Sequence, residues 1–144
     1  MTLSLDTMAF DDDWNSLRDA TDASRWELGR GSAMEVFATM RPVGSPAEAF
    51  SARLAWTMYP GVPSIKFREP ATGRLDVPTA WPTGGPFRPA ACCICANYTA
   101  EGFQMHIEWV DDPRFRWTND GNVIVKALRL LQDDLDQFFA GRHK

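Results

Sequence analysis

Two stretches of strict alternation organise the first half of the chain. Met34, Val36, Ala38 and Met40 take every second place between Glu35, Phe37, Thr39 and Arg41, the period of a strand with one buried face. Phe50, Ala52, Leu54, Trp56 and Met58 repeat the pattern against Ser51, Arg53 and Thr57. Ile65 and Phe67, flanked by Ser64, Lys66 and Arg68, predict a further short strand, and Arg25–Leu28 an earlier one that Gly29 and Gly31 end. Pro42-Val43-Gly44-Ser45-Pro46 reads as a turn, and connections this short predict antiparallel pairing. At both ends the spacing becomes helical. Phe10, Trp14 and Leu17 form one stripe, with Asp11-Asp12-Asp13 placed where a helix N-terminus favours negative charge. Ile124, Ala127 or Leu128, Leu131, Leu135 and Phe138 form another, capped by Asn119 or Asp120 and ended by Gly141. Between Glu69 and Pro89, Pro70, Pro78, Pro82, Pro86 and Pro89 forbid a helix or a central strand. Leu75, Val77, Trp81 and Phe87 give that stretch apolar anchors, so it reads as an ordered loop rather than a linker. The order predicts an α+β fold: an N-terminal helix, a four-stranded antiparallel meander, a long loop and a C-terminal helix, as one domain over residues 1–144.

Charge and cysteine usage narrow the function classes. A net charge of −4 argues against a protein that holds nucleic acid by broad phosphate attraction. No apolar run has the length of a membrane span, and Met1–Phe10 lacks the pattern of a signal peptide, so no membrane partner is expected. The three cysteines all fall between Cys92 and Cys95, which is no disulfide framework and predicts a reduced, cytoplasmic protein. In an extended segment Cys93 and Cys95 share a face and Cys92 points the other way, towards the core. Cys92, Cys93, Cys95 and His106 could supply metal ligands, but they lack paired Cys-x-x-Cys spacing, and neither a metal nor a cofactor is expected. Gly84-Gly85 sits among prolines and precedes no helix, so it is no phosphate loop, and there is no Gly-x-Ser-x-Gly elbow. A cysteine-protease arrangement would need Cys95 and His106 in contact, which a strand meander does not suggest. The run Asp133-Asp134 with Asp136 reads as a solvated helix face.

One stretch resembles a known family. Tyr59-Pro60-Gly61-Val62-Pro63-Ser64-Ile65-Lys66-Phe67 is similar, in residue type and in place after the third strand, to the Tyr-Pro segment of ubiquitin-conjugating enzymes. Ile94-Cys95, and Trp117-Thr118-Asn119-Asp120 before the last helix, resemble the family's cysteine and its later tryptophan. The likeness covers roughly Asp11 to Phe139 and is nearer the divergent bacterial members. The family's His-Pro-Asn motif is absent, with Gly84-Gly85-Pro86-Phe87 in its place, and the stretch from Cys95 to Trp117 is longer than usual. The resemblance implies the UBC-like fold, with the loop carrying the active cysteine. It implies a transferase that takes a ubiquitin-like protein as a cysteine thioester from an activating-enzyme-like partner and passes it to an amine. Arg18, Arg25 and Arg30 are then of interest for docking that partner, because the family's first helix does so. Cys95 is the expected nucleophile, because its thiolate suits acyl transfer, and Cys93 is the runner-up. Asn97 or Asn119 would replace the missing oxyanion donor, and His106 would serve as a base or orienting group. The alternative is an inactive UBC-like or RWD-like module that only binds a ubiquitin-like or other protein.

Overall fold

The computed structural model describes residues 4–20 and 23–144. Its first helix, α1 (Leu5–Asn15), begins earlier than the acidic triplet suggests, because Ser4 caps it: the Ser4 hydroxyl accepts from the Thr7 N–H at 3.1 Å. Asp11, Asp12 and Asp13 therefore lie within α1 rather than at its start. Two of them are used across the fold. Asp11 pairs with Arg30, and Asp13 accepts the Tyr59 hydroxyl. Phe10 is fully buried from α1 and meets the edges of Trp56 and Tyr59 at 5.7 and 5.3 Å.

The sheet is a four-stranded antiparallel meander, β1 (Glu27–Arg30), β2 (Glu35–Met40), β3 (Phe50–Ala55) and β4 (Ser64–Arg68), in sequential order. The alternation fixes which face is buried. Val36, Ala38 and Met40 face Leu54, Ala52 and Phe50 across the β2–β3 ladder, and Ile65 and Phe67 continue the row on β4. All of these are at most 1% exposed. On the other side Arg53 pairs with Glu35 at 2.5 Å, and the Arg68 guanidinium lies 4.0 Å over the Phe37 ring.

β1 starts two residues later than the expected Arg25 and runs on through Gly29 to Arg30. Gly29 sits inside the strand opposite Phe37, and Ala23–Arg25 forms a 3-10 turn. β3 ends before Met58 because Trp56 turns inward, its N–H donating to Met34 O, while Thr57 and Met58 are exposed. The Tyr59–Pro60 bond that follows is cis.

The proline-rich segment packs as an ordered loop. Trp81 is fully buried and meets Phe67 at 5.2 Å, and Thr83 exchanges backbone hydrogen bonds with Ala140 and Gly141. The last helix, α3 (Val123–Phe138), is capped by Asn122 and not by Asn119 or Asp120. The Asn122 carbonyl oxygen accepts from Val125 N–H at 3.1 Å, and its amide donates to Asp13 O. Ile124, Leu128, Leu131 and Leu135 are fully buried in the same core cluster as the sheet. Gln132 sits among them, satisfied by Trp26 Nε1–H and by Arg41 O. Arg25 is held by Asp136 of α3 at 3.0 Å, so Arg25 and Arg30 both have acidic partners within the chain. Among the described residues no helix is long and apolar enough to cross a membrane.

Candidate active site

Two small elements absent from the sequence-based expectation build the site. The first is a hairpin of two-residue strands, β5 (Phe87–Arg88) and β6 (Cys93–Ile94), with Phe87 opposite Ile94 and Arg88 opposite Cys93. Buried Phe87 and Ile94 anchor it in the core, and Cys95 N–H donates to Pro86 O at 2.9 Å just beyond it. The second is a short helix, α2 (Ala100–Met105), capped by Thr99. The buried Thr99 hydroxyl accepts from Gly102 N–H at 2.9 Å and donates back to Ile94 O at 2.7 Å. It thereby ties the start of α2 to the cysteine segment.

β4 holds α2 from the other side. Ala100 N–H donates to Pro63 O at 2.8 Å, and the Glu101 carboxylate accepts from Ile65 N–H at 3.1 Å and from the Ser64 hydroxyl. Gly102 lies against the backbone of Ala96 so closely that there is no room for a side chain.

These restraints return the end of α2 to Cys95. His106 is the C-cap, its N–H bonded to Gly102 O at 2.9 Å, and its Nε2 lies 3.1 Å from Cys95 Sγ. The other ring nitrogen, Nδ1, is 3.1 Å from Glu108 Oε1. The Glu108 carboxyl is held below its ordinary range, first by its own backbone N–H and next by the hydrogen bond from His106. An ionised Glu108 accepts from Nδ1–H, which fixes the tautomer whose Nε2 faces the sulfur. The plane of the imidazole is set by Trp109, stacked on it at 4.2 Å and 15°. Trp109 in turn stacks on Phe115 at 4.6 Å and meets the edge of Phe103 at 6.1 Å. Sulfur, imidazole and carboxylate of Cys95, His106 and Glu108 are thus in line, an arrangement that can activate a thiol. The protease-like contact that the meander did not suggest is present, and α2 is the element that makes it.

Cys95 opens into a cleft of about 410 Å³ whose lining includes Arg88, Asn97, Trp109, Phe115 and Asp134. Asn97 therefore lines the same cleft as Cys95, whereas Asn119 lines a different depression with Tyr59 and Trp117. Asp134 is not on a solvated face. It is half-buried and accepts the Tyr98 hydroxyl at 2.6 Å; burial pushes its carboxyl up, opposed by that hydrogen bond. Asp136 likewise serves Arg25, Val43 N–H and Gln132, while Asp133 is exposed.

Of the other two cysteines, Cys92 packs against the core cluster as the alternation predicts, but it is Cys93 that is the more buried. Cys92 adopts a left-handed conformation, φ 50°, at the hairpin turn and is only partly buried. Cys93 is the buried one, 7% exposed, with Sγ 3.3 Å from Met105 Sδ. Met105 of α2 is what covers Cys93. Among the described residues no group of three or more His, Cys, Asp or Glu side chains is arranged to hold a metal ion.

Burial is the largest influence on both the Cys92 and Cys93 thiols and pushes them up, against the attraction of Lys66. Both are therefore more protonated at neutral pH than a free thiol and less nucleophilic. Limiting iodoacetamide at pH 7 is expected to label Cys95 first, read by peptide mass mapping. Labelling of Cys92 or Cys93 ahead of Cys95 would contradict the geometry.

Glu108, Trp109, Tyr98 and Asp134 escaped sequence reasoning. The one available signal was His-x-Glu at positions 106 and 108, two polar groups able to meet across a tight turn. No protein-family model matches the chain, and neither does any curated protein or solved structure with which it was compared.

Proposed function

We propose that the chain is a cysteine-dependent acyltransferase of the ubiquitin-conjugating type, with Cys95 as the nucleophile. The observation that carries the reading is the 3.1 Å contact between Cys95 Sγ and His106 Nε2, with Glu108 behind the ring. The order of helix, four-stranded meander, long loop and C-terminal helix supports the family resemblance of the Tyr59–Phe67 segment.

In the first step His106 takes the Cys95 proton. The thiolate attacks the thioester carbonyl that links a ubiquitin-like protein to its activating-enzyme-like partner. A new C–S bond forms, the old one breaks, and His106 returns the proton to the leaving thiolate. In the second step an amine attacks the Cys95 thioester. The C–N bond forms, the C–S bond breaks, and the amine proton passes through His106 to Cys95 Sγ. Asn97 lines the same cleft, and on this reading its side-chain amide donates to the oxyanion in the role of the missing family asparagine.

The test uses ubiquitin bearing a C-terminal mercaptoethanesulfonate thioester, which needs no activating enzyme. Incubation is expected to give a one-to-one adduct that dithiothreitol removes, that maps to Cys95 by mass spectrometry and that a small primary amine discharges. A protein that binds the probe without forming the adduct is the inactive module instead. An adduct on Cys93 would move the nucleophile.

A further inference from the structure

The base that serves amine transfer can serve water as well. A thioester is already reactive towards an amine, so a base locked against the sulfur by a carboxylate and an aromatic stack is not needed merely to hold the acyl group. Once Cys95 is acylated, its proton is gone and His106 Nε2 is free to accept another. The ring remains beside the new carbonyl, fixed by Glu108 at 3.1 Å and by Trp109 at 4.2 Å. The His106 side chain is 36% exposed, and Cys95 is only partly buried, in an open cleft. Water therefore reaches the base and the thioester together.

We infer that the chain is also a thioester hydrolase: acyl groups on Cys95 are released to water by the Cys95–His106–Glu108 arrangement. This rests on the reading of Cys95 as the nucleophile. The chemistry is balanced and needs no further reactant. His106 Nε2 takes a proton from water as the water oxygen bonds to the thioester carbon. The tetrahedral oxyanion collapses, the C–S bond breaks, and the proton on His106 goes to the departing Cys95 sulfur. The products are a free carboxylic acid and the regenerated thiol. The substrate class is an acyl group small or extended enough to enter the cleft. A thioester that meets no amine is cleared rather than stored.

The test uses p-nitrophenyl acetate and no partner protein. Acetylation of Cys95 releases one equivalent of p-nitrophenolate, and only hydrolysis of the acetyl-thiol allows more. Wild type is expected to give a burst of one equivalent followed by a linear phase. His106→Ala is expected to give a slower burst that still reaches one equivalent, with the linear phase lowered about 100-fold. Glu108→Gln alters only an exposed side chain, so it guards against misfolding; it is expected to lower the linear phase about tenfold. Cys95→Ala should give no burst. A wild-type burst with a linear phase no faster than that of His106→Ala overturns the hydrolase and leaves acyl transfer standing. A wild type that releases p-nitrophenolate no faster, in burst or linear phase, than Cys95→Ala overturns Cys95 as nucleophile, and with it both readings.

Discussion

Alanine at position 102 is expected to destabilise the fold by about 3 kcal/mol, near the upper end of overpacking penalties. A Cβ on Gly102 would overlap the Ala96 carbonyl oxygen and come within 2.8 Å of the Ala96 carbon and nitrogen. The obstacle is backbone, which cannot swing away as a side-chain tip does. The Thr99 cap and the Pro63 hydrogen bond hold α2 on either side, so the helix has no slack to move outward. Urea unfolding is expected to lose about 1.5 M of midpoint, taking a slope of roughly 2 kcal/mol per molar. Gly44 is the control: nothing lies within 4 Å of its built Cβ, and Gly44→Ala should stay within about 0.5 kcal/mol of wild type. Any α2 displacement in folded Gly102→Ala also withdraws His106, so residual folded protein should alkylate at Cys95 more slowly than wild type. A Gly102→Ala protein equal to wild type in both measurements would refute the packing described for α2.

How much of this was legible in the sequence follows from the range of each interaction. β2, β3 and α3 were legible because one face of each is buried over most of its length, so apolar spacing records the geometry directly, although Phe138 at the end of the α3 stripe is exposed. The boundaries failed where a local signal had a competitor. The acidic triplet suited a helix start, but Ser4 supplied the cap further upstream. Gly29 and Gly31 read as terminators, yet Gly29 pairs within β1 and only Gly31 turns the chain. α2 was missed because its six residues are too few to show a stripe, and the position it buries is a glycine. Its real determinants are long-range: the Thr99 cap bonded to Ile94 and the Glu101 carboxylate bonded to β4.

The same limit applied to the site. Cys95, His106 and Asn97 were legible as chemistry, since few residue types activate or stabilise an acyl intermediate. Their meeting was not, because a helix absent from the pattern closes the distance. The burial of Cys93 has the same kind of origin, since Met105 of the unexpected α2 lies against its sulfur. Asp134 was misjudged because a run of acids on an amphipathic helix resembles a solvent face. Its partner, Tyr98, lies 36 positions away.

Alanine at position 106 is expected to slow the reaction of Cys95 with iodoacetamide at pH 7 by about 100-fold, or about 2.7 kcal/mol of activation free energy. The thiolate is the reacting species, and on the proposed mechanism His106 Nε2, 3.1 Å from the sulfur, is the group that takes the thiol proton. Trp109 adds to this, since its stacked face fixes the plane of the ring. The reagent is small and neutral, so the rate reports on the sulfur and its base rather than on binding in the cleft. Raising the pH should bring the variant towards wild type, because hydroxide then supplies the thiolate that the imidazole no longer does. His106→Asn should behave as alanine does, since an amide can hydrogen-bond to the sulfur but cannot take its proton. Equal rates for wild type and His106→Ala across this range would mean that the 3.1 Å contact does no chemistry, leaving Cys95 an ordinary half-exposed thiol.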